Sequence, residues 1–373
     1  MPTDNPNLGL RRFSETPGEG RGNALILLPL SLAYGAAVRL RERLYRWRLL
    51  PTRRLPIKVV CVGNLTTGGT GKTPMVEYVA RVLHDAGKRV AVLTRGYKGT
   101  KERRGGVVCD GEAMMLSPRE SGDEPYMLAL RLGSIPVLVG RNRHASGNIA
   151  CRRFDTEIAV LDDGYQHFQL ARDLNIVLVD GRRGFGNGHM LPLGSLREPL
   201  SGLRRADRFV ITKVEGKEAA QPIEKTLQTW NAGAQIFHAR YVPQSLVDPM
   251  TGERRGPEAL KGKTIVAFAG LASPGYFFEL LRSLGAAVRQ EMIFPDHHRY
   301  TEKDAEDIRE MTAGAEWAVT TEKDMVRLRD VNIENLPIRV LEIRMDIADE
   351  ERFKTSLLRD LAIRDTAASG REE

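Results

Sequence analysis

The sequence predicts an α/β fold: a mostly parallel sheet with helices on both faces, followed by a second, smaller α/β lobe. Three observations predict it. Short β-branched runs alternate with helical patterns, which is how a parallel sheet covered on both faces reads. A glycine-rich turn stands between the first of these runs and a helix. The pattern then restarts near Lys263, after a polar stretch bearing Pro and Gly that reads as a connector. A chain of 373 residues exceeds the usual single-domain size and is long enough for two cores.

In chain order, residues 1–23 are polar, poor in apolar periodicity and expected to be disordered, as are residues 364–373. The next segment, 24–54, joins two unlike halves. An apolar run from Ala24 to Val38 is interrupted by Pro29 and Ser31, and its fifteen residues fall short of the ~20 that a membrane span needs. From Arg39 to Arg54 seven arginines then face one acid, Glu42. A membrane-associated helix that dips into the bilayer, its arginines held at anionic headgroups, accounts for both halves; a buried helix with a solvated basic turn is the alternative. Arg21 and the lack of a small-residue cleavage site argue against a removed signal peptide. The formal charge of +8 implies an anionic partner, but it concentrates beside an apolar segment and not among interleaved aromatics. That points to a membrane surface with anionic lipids and away from nucleic acid. Cys61, Cys109 and Cys151 have no metal-ligand spacing and fit a reducing compartment.

Residues 55–242 form the expected core domain. The apolar run Ile57 to Val62 leads through Thr66, Thr67, Gly68, Gly69, Thr70, Gly71, Lys72 and Thr73 into a helical segment from Pro74 to Ala86. Strand, glycine loop and helix in that order make a P-loop: backbone N–H groups converge on a polyphosphate, Lys72 reaches its outer phosphates and the Thr73 hydroxyl can ligate Mg²⁺. The one departure is Thr66, where the motif has Gly. Further strands are expected at Arg89–Thr94, Ile135–Val139, Glu157–Leu161, Asn175–Val179 and Arg208–Thr212. Asp162 and Asp163 follow the Glu157–Leu161 strand, where a sheet of this kind holds a nucleotide-bound metal. Extended, the two would point to opposite faces, so one of them addresses the metal. After the connector, 243–262, the second lobe at 263–363 is expected to have strands at Thr264–Phe268, Ala287–Ile293, Trp317–Thr320 and Ile338–Ile343.

Ordered blocks then carry a resemblance. They are Gly63-Asn64 before the loop, Arg95-Gly96-Tyr97, Gly122-Asp123-Glu124-Pro125, Asp162 to His167 with Leu170, Arg172 and Asp173, Gly186-Asn187-Gly188, Leu191-Pro192 and Leu196-Arg197-Glu198-Pro199. Phe294-Pro295-Asp296-His297-His298 and Thr320-Thr321-Glu322-Lys323-Asp324 follow in the second lobe. From Ala24 to about Leu341 the chain resembles the tetraacyldisaccharide 4′-kinase family, the lipid A 4′-kinases; Thr94, Lys98 and Ser195 depart from its usual Ser, Gly and Pro. The resemblance implies ATP and Mg²⁺ as cofactors, a lipid A precursor disaccharide as substrate, and a place on the cytoplasmic face of the bacterial inner membrane. It makes Asp123 the acceptor of the hydroxyl proton, paired with His297. Read without it, Asp123 is a helix cap and His297 a core histidine. Arg143, Arg197 and Glu198 lie in matching segments and are the expected contacts to ATP or to the lipid phosphate, since a guanidinium bonds phosphate oxygens in pairs. Arg172 and Asp173 are expected to pair with each other. The runner-up is a P-loop GTPase or nucleotide-dependent metallochaperone, suggested by Thr212-Lys213-Val214-Glu215, which carries Glu where a guanine-reading motif has Asp. A partition-type ATPase would carry lysine at Thr67.

Overall fold

The computed structural model describes residues 21–214 and 216–362, so the disorder expected at residues 1–20 and 364–373 falls outside the described residues, while residues 21–23, expected to be disordered as well, open the first helix. Chain order runs α1 (Arg21–Arg46), β1 (Lys58–Asn64), α2 (Lys72–Asp85), β2 (Val90–Thr94), β3 (Gly106–Cys109), α3 (Pro118–Ser121), α4 (Asp123–Leu132), β4 (Val137–Val139), α5 (Arg143–Phe154), β5 (Ile158–Asp162), β6 (Leu174–Asp180), β7 (Arg208–Thr212) and α6 (Lys217–Trp230). It continues with β8 (Gln235–Val247), β9 (Arg254–Arg255), β10 (Thr264–Ala269), α7 (Gly275–Ser283), β11 (Ala287–Ile293), α8 (Glu302–Thr312), β12 (Trp317–Thr321), α9 (Glu322–Leu328), β13 (Ile338–Ile347) and α10 (Glu350–Asp360). The described strands form one sheet in the order β11-β10-β12-β13-β8-β7-β6-β1-β5-β2-β4-β3, with β9 beside β8.

β1 lies between β5 and β6, parallel to both, and the chain builds outward on one side of it before crossing to the other. Such a switch point opens a crevice beyond the carboxyl ends of the strands. The loops after β1, β5, β6 and β7 all emerge there. Both faces of these strands are covered, which is why they read as unbroken apolar runs. Val60 and Val62 pack with Met75, Val76, Val79 and Leu83 of α2. Val59 and Cys61 pack on the opposite face, in a core that includes Ala150, Ile223 and Leu227.

The second lobe departs from expectation in two places. Residues from Pro243 were expected to connect two separate sheets, but β8 runs on to Val247. Its first part pairs parallel with β7 and its second antiparallel with β13, so a single strand carries the sheet across both halves. Pro243 is tolerated because the register slips beside it, with Ile343 opposite Pro243 and Glu342 opposite Ser245; a bulge is where a strand can accept proline. The chain end also differs: α10, inside the expected second lobe, returns to the first half, where Phe353 and Leu357 join the core of Val76 and Val79. Arg208 of β7, fully buried, pairs with Asp360 at 2.6 Å.

In α1 the alternation of burial separates two faces. Ser31 and Gly35 are buried, and the Ser31 hydroxyl donates to the Met190 carbonyl at 2.8 Å. Leu28, Leu30, Leu32 and Leu40 are exposed. No helix among the described residues is long and apolar enough to cross a membrane.

Candidate active site

The phosphate loop is built by what surrounds it. Gly68 and Gly71 take φ of +105° and +89°, a region that side-chain-bearing residues avoid. Gly71 is needed for space as well, since a Cβ there would lie 2.1 Å from the Tyr241 hydroxyl of β8. Lys213 Nζ, at the end of β7, donates to the Gly69 carbonyl at 2.6 Å and pairs with buried Asp180 at the same distance. Thr212 Oγ1 donates to the Thr70 carbonyl, Asn64 Nδ2 donates to Thr70 Oγ1, and the Thr67 amide donates to the Ser195 carbonyl. Helix α2 starts at Lys72 with no side-chain cap and no acid in its first turn, leaving its N–H groups and dipole for an anion. Thr73 follows in that turn, half-buried.

Asp163 reaches that helix's lysine, and Asp162 lies where the lysine's charge still acts on it. The Thr94 hydroxyl donates to Asp162 Oδ2 at 2.9 Å, and Asp163 lies 3.7 Å from Lys72 Nζ and 2.8 Å from Arg197 Nη1. They do not diverge as two extended residues would, because Asp163 turns into a left-handed conformation, φ +49°. Burial, with Glu124 and Asp163 nearby, pushes Asp162 up to about 6; for Asp163, burial is outweighed by Lys72 and Arg197, which hold it below the usual carboxylate range. A buried carboxylate raised in this way costs stability: the folded form is favoured below about pH 4 and loses that advantage as the pH climbs through 6. Asp162→Asn is therefore expected to raise the melting temperature at pH 8, by roughly 1–3 kcal/mol of stability, with no gain at pH 4. Thermal melts at the two pH values check this, and equal melting of the two proteins at pH 8 refutes it.

Arg143 is buried, with Nη1 donating to the Gly140 carbonyl at 3.3 Å and Nε without a partner, facing the charges of Asp162 and Asp163. Glu198 is not open to a ligand: it is 1% exposed, accepts from Gln166 Nε2 at 2.6 Å and pairs with Arg205. The expected Arg172–Asp173 pair does not form either. Arg172 Nη1 donates to the carbonyls of Gly164 and Tyr165, and Asp173 takes Arg54 and the Val59 amide.

Asp123 opens α4, and Arg327 of α9 donates through Nε to its Oδ2 at 2.9 Å. His297 Nδ1 lies 3.8 Å from the same oxygen. His298 turns away, its Nε2 3.0 Å from Asp304 Oδ2 at the start of α8. His297 itself has φ +62°, a strained conformation of the kind that clusters at functional sites. Lys323 bridges the halves too, 2.7 Å from Glu124 and 3.3 Å from Asp296. Sequence reasoning assigned no role to Arg327 and saw Lys323 only as part of a block. Neither has a local pattern, since Arg327 and Asp123 are 204 residues apart.

A phosphate loop at the switch point of a mostly parallel sheet, with a carboxylate pair following the neighbouring strand, marks a P-loop phosphotransferase. A sequence profile described as tetraacyldisaccharide-1-P 4′-kinase (LpxK) matches residues 23–362. The chain belongs to that family. It is 40% identical to the tetraacyldisaccharide 4′-kinase of Desulfatibacillum aliphaticivorans, over 95% of this chain and 99% of the relative. It is 42% identical to that of Geobacter sulfurreducens, over 86% and 89%. The crystal structure of LpxK from Aquifex aeolicus in complex with ATP superposes with a TM-score of 0.73 at 32% identity, covering 91% of this chain and 99% of that one.

Proposed function

We propose that this chain transfers the γ-phosphoryl group of ATP to the 4′-hydroxyl of a tetraacylated glucosamine disaccharide 1-phosphate, with Asp123 as the base. The observation that carries the reading is the convergence of Lys72, Asp162 and Asp163 at the switch point, with Glu124, next to Asp123, close enough for its charge to act on Asp162. The hydroxyl oxygen attacks the γ phosphorus, the bond from that phosphorus to the β,γ-bridging oxygen breaks, ADP leaves with the electron pair, and the hydroxyl proton passes to Asp123. Lys72 and the α2 N-terminus bind the phosphates, and Arg143 and Arg197 add charge around them. The donor set fits Mg²⁺, because buried Asp162 lacks an adjacent cation of its own and the Thr73 hydroxyl stands in the first turn of α2. No group of three or more His, Cys, Asp or Glu among the described residues makes a metal cage, which suits an ion shared with substrate phosphates. When bound, Mg²⁺ would neutralise phosphate charge as it develops. Transfer of radiolabelled phosphate from ATP to the lipid disaccharide by purified protein tests the reading; absence of transfer, or preference for GTP, refutes it. The GTPase alternative is set aside by the kinase family to which the chain belongs.

The exposed leucines of α1 and the arginines after them support peripheral attachment to an anionic membrane surface at the cytoplasmic face. Tyr34 of α1 donates to the Arg197 carbonyl at 3.0 Å, so the attached helix rests on the loop that carries a phosphate-facing arginine. The triple substitution Leu28→Gln, Leu30→Gln, Leu32→Gln leaves the buried face intact and is expected to lower flotation with anionic liposomes at least tenfold, with ATP binding unchanged. Flotation equal to the unaltered protein counts against attachment through α1.

A further inference from the structure

We propose that Arg327 is the positioning residue that joins Asp123 to His297 and fixes the His297 tautomer, an inference that rests on the kinase reading above. The side chain is 2% exposed and all three of its nitrogens are used. Nε donates to Asp123 Oδ2 at 2.9 Å, Nη1 donates to the Gly270 carbonyl at 2.8 Å and to Asp324 Oδ1 at 3.3 Å, and Nη2 lies 3.2 Å from His297 Nδ1. Asp324 is itself held by the Tyr300 and Thr321 hydroxyls and the Gly270 amide. The guanidinium is thus locked on one side by the second half of the molecule and presents its other side to the base.

A guanidinium has only donors, so the ring nitrogen facing it must accept. Nδ1 therefore carries the lone pair and the proton sits on Nε2: His297 is neutral here and cannot donate through Nδ1 to Asp123. Beside the 3.8 Å approach of His297 to Asp123, which keeps the pair expected from sequence together, the hydrogen bonds run through an Asp123–Arg327–His297 chain. Charge around the imidazole agrees with this. Burial, Lys323 and Arg327 lower its pKa, opposed by Asp296 and Glu124; Asp123 also faces it, and the Tyr97 ring stands edge-on at 5.9 Å. The rest of α9 holds the strut in place, through Glu322 to Arg131 at 2.6 Å and Lys323 to Glu124 at 2.7 Å.

The test uses the full chain with Arg327→Met and Arg327→Lys. Histidine NMR titration without substrate reads the tautomer and pKa of His297; kinetics reads kcat, KM for ATP and the acid limb of the kcat profile. In Arg327→Met, His297 is expected to titrate about one pH unit higher, and the acid limb to move up with it, because a nearby cation has gone. kcat should fall on the order of a hundredfold, as for loss of an oriented base, while KM for ATP changes little. Arg327→Lys keeps the cation and loses the fork, so His297 should titrate near its original value while kcat stays at least tenfold down. If Arg327→Met proves unstable, Arg327→Lys decides the matter alone. An unshifted His297 titration in a folded Arg327→Met, or near-normal kcat in either variant, overturns the inference. Because the titration needs no substrate, it stands or falls separately from the lipid kinase reading.

Discussion

Lys72→Ala is expected to lower kcat by on the order of a thousandfold in a protein that still folds. Lys72 Nζ is mostly buried, donates to Asn64 Oδ1 at 3.3 Å and lies 3.7 Å from Asp163, so its charge is already placed where phosphates would arrive. A unit charge about 4 Å from phosphate oxygen, at an effective dielectric near 20, contributes about 4 kcal/mol. Each 1.36 kcal/mol is tenfold in rate, which gives about three decades. Some stability is lost as well, because Lys72 is one of the cations that keep half-buried Asp163 ionised, but Arg197 remains beside it and no apolar side chain is removed. Thr73→Ala should fall by a comparable factor, distinguished by a steeper dependence on Mg²⁺ concentration. Steady-state assays with matched thermal melts check both, and a folded Lys72→Ala with ordinary turnover removes the nucleotide-site assignment.

The phosphate loop was legible because its chemistry is local: a strand, a glycine turn and a lysine follow one another between Lys58 and Lys72. The same holds for Asp162 and Asp163, although the left-handed turn at Asp163 that accompanies its approach to Lys72 leaves no mark in composition. What could not be read is set by distant partners. Pro243 argues for a break in any window that ignores the opposite strand, and only the slipped register against β13 lets β8 continue through it. The return of α10 sets the Phe353 ring against Phe237 of β8 at a centroid distance of 5.0 Å, a partner far away in the chain. Glu198 and Arg197 are neighbours in sequence, yet one is buried with Arg205 while the other reaches Asp163. Adjacent residues in an irregular loop need not share a surface, so a matching segment does not give each of its residues the same exposure.

Asp123→Ala, His297→Ala and the double mutant are expected to share one kcat, two to four decades below the unaltered protein. The two residues come from α4 and from the loop before α8, and Arg327 links them across the seam between the halves. Removing His297 leaves the Nη2 end of Arg327 without its partner at the base, and removing Asp123 leaves His297 and Arg327 oriented toward nothing. Groups that act as a unit lose their effect together, so the second deletion adds little to the first. ATP binding without lipid should survive in all three, because neither residue belongs to the phosphate loop. His298 is the internal control. Its ring stacks on Phe294 at 5.0 Å and its Nε2 meets Asp304, so His298→Ala should lower the melting temperature while keeping most of the turnover. Single-turnover rates for the four variants decide the case. Losses that multiply in the double mutant would mean that Asp123 and His297 act separately, and an inactive His298→Ala beside an active His297→Ala would move the role one residue along the chain.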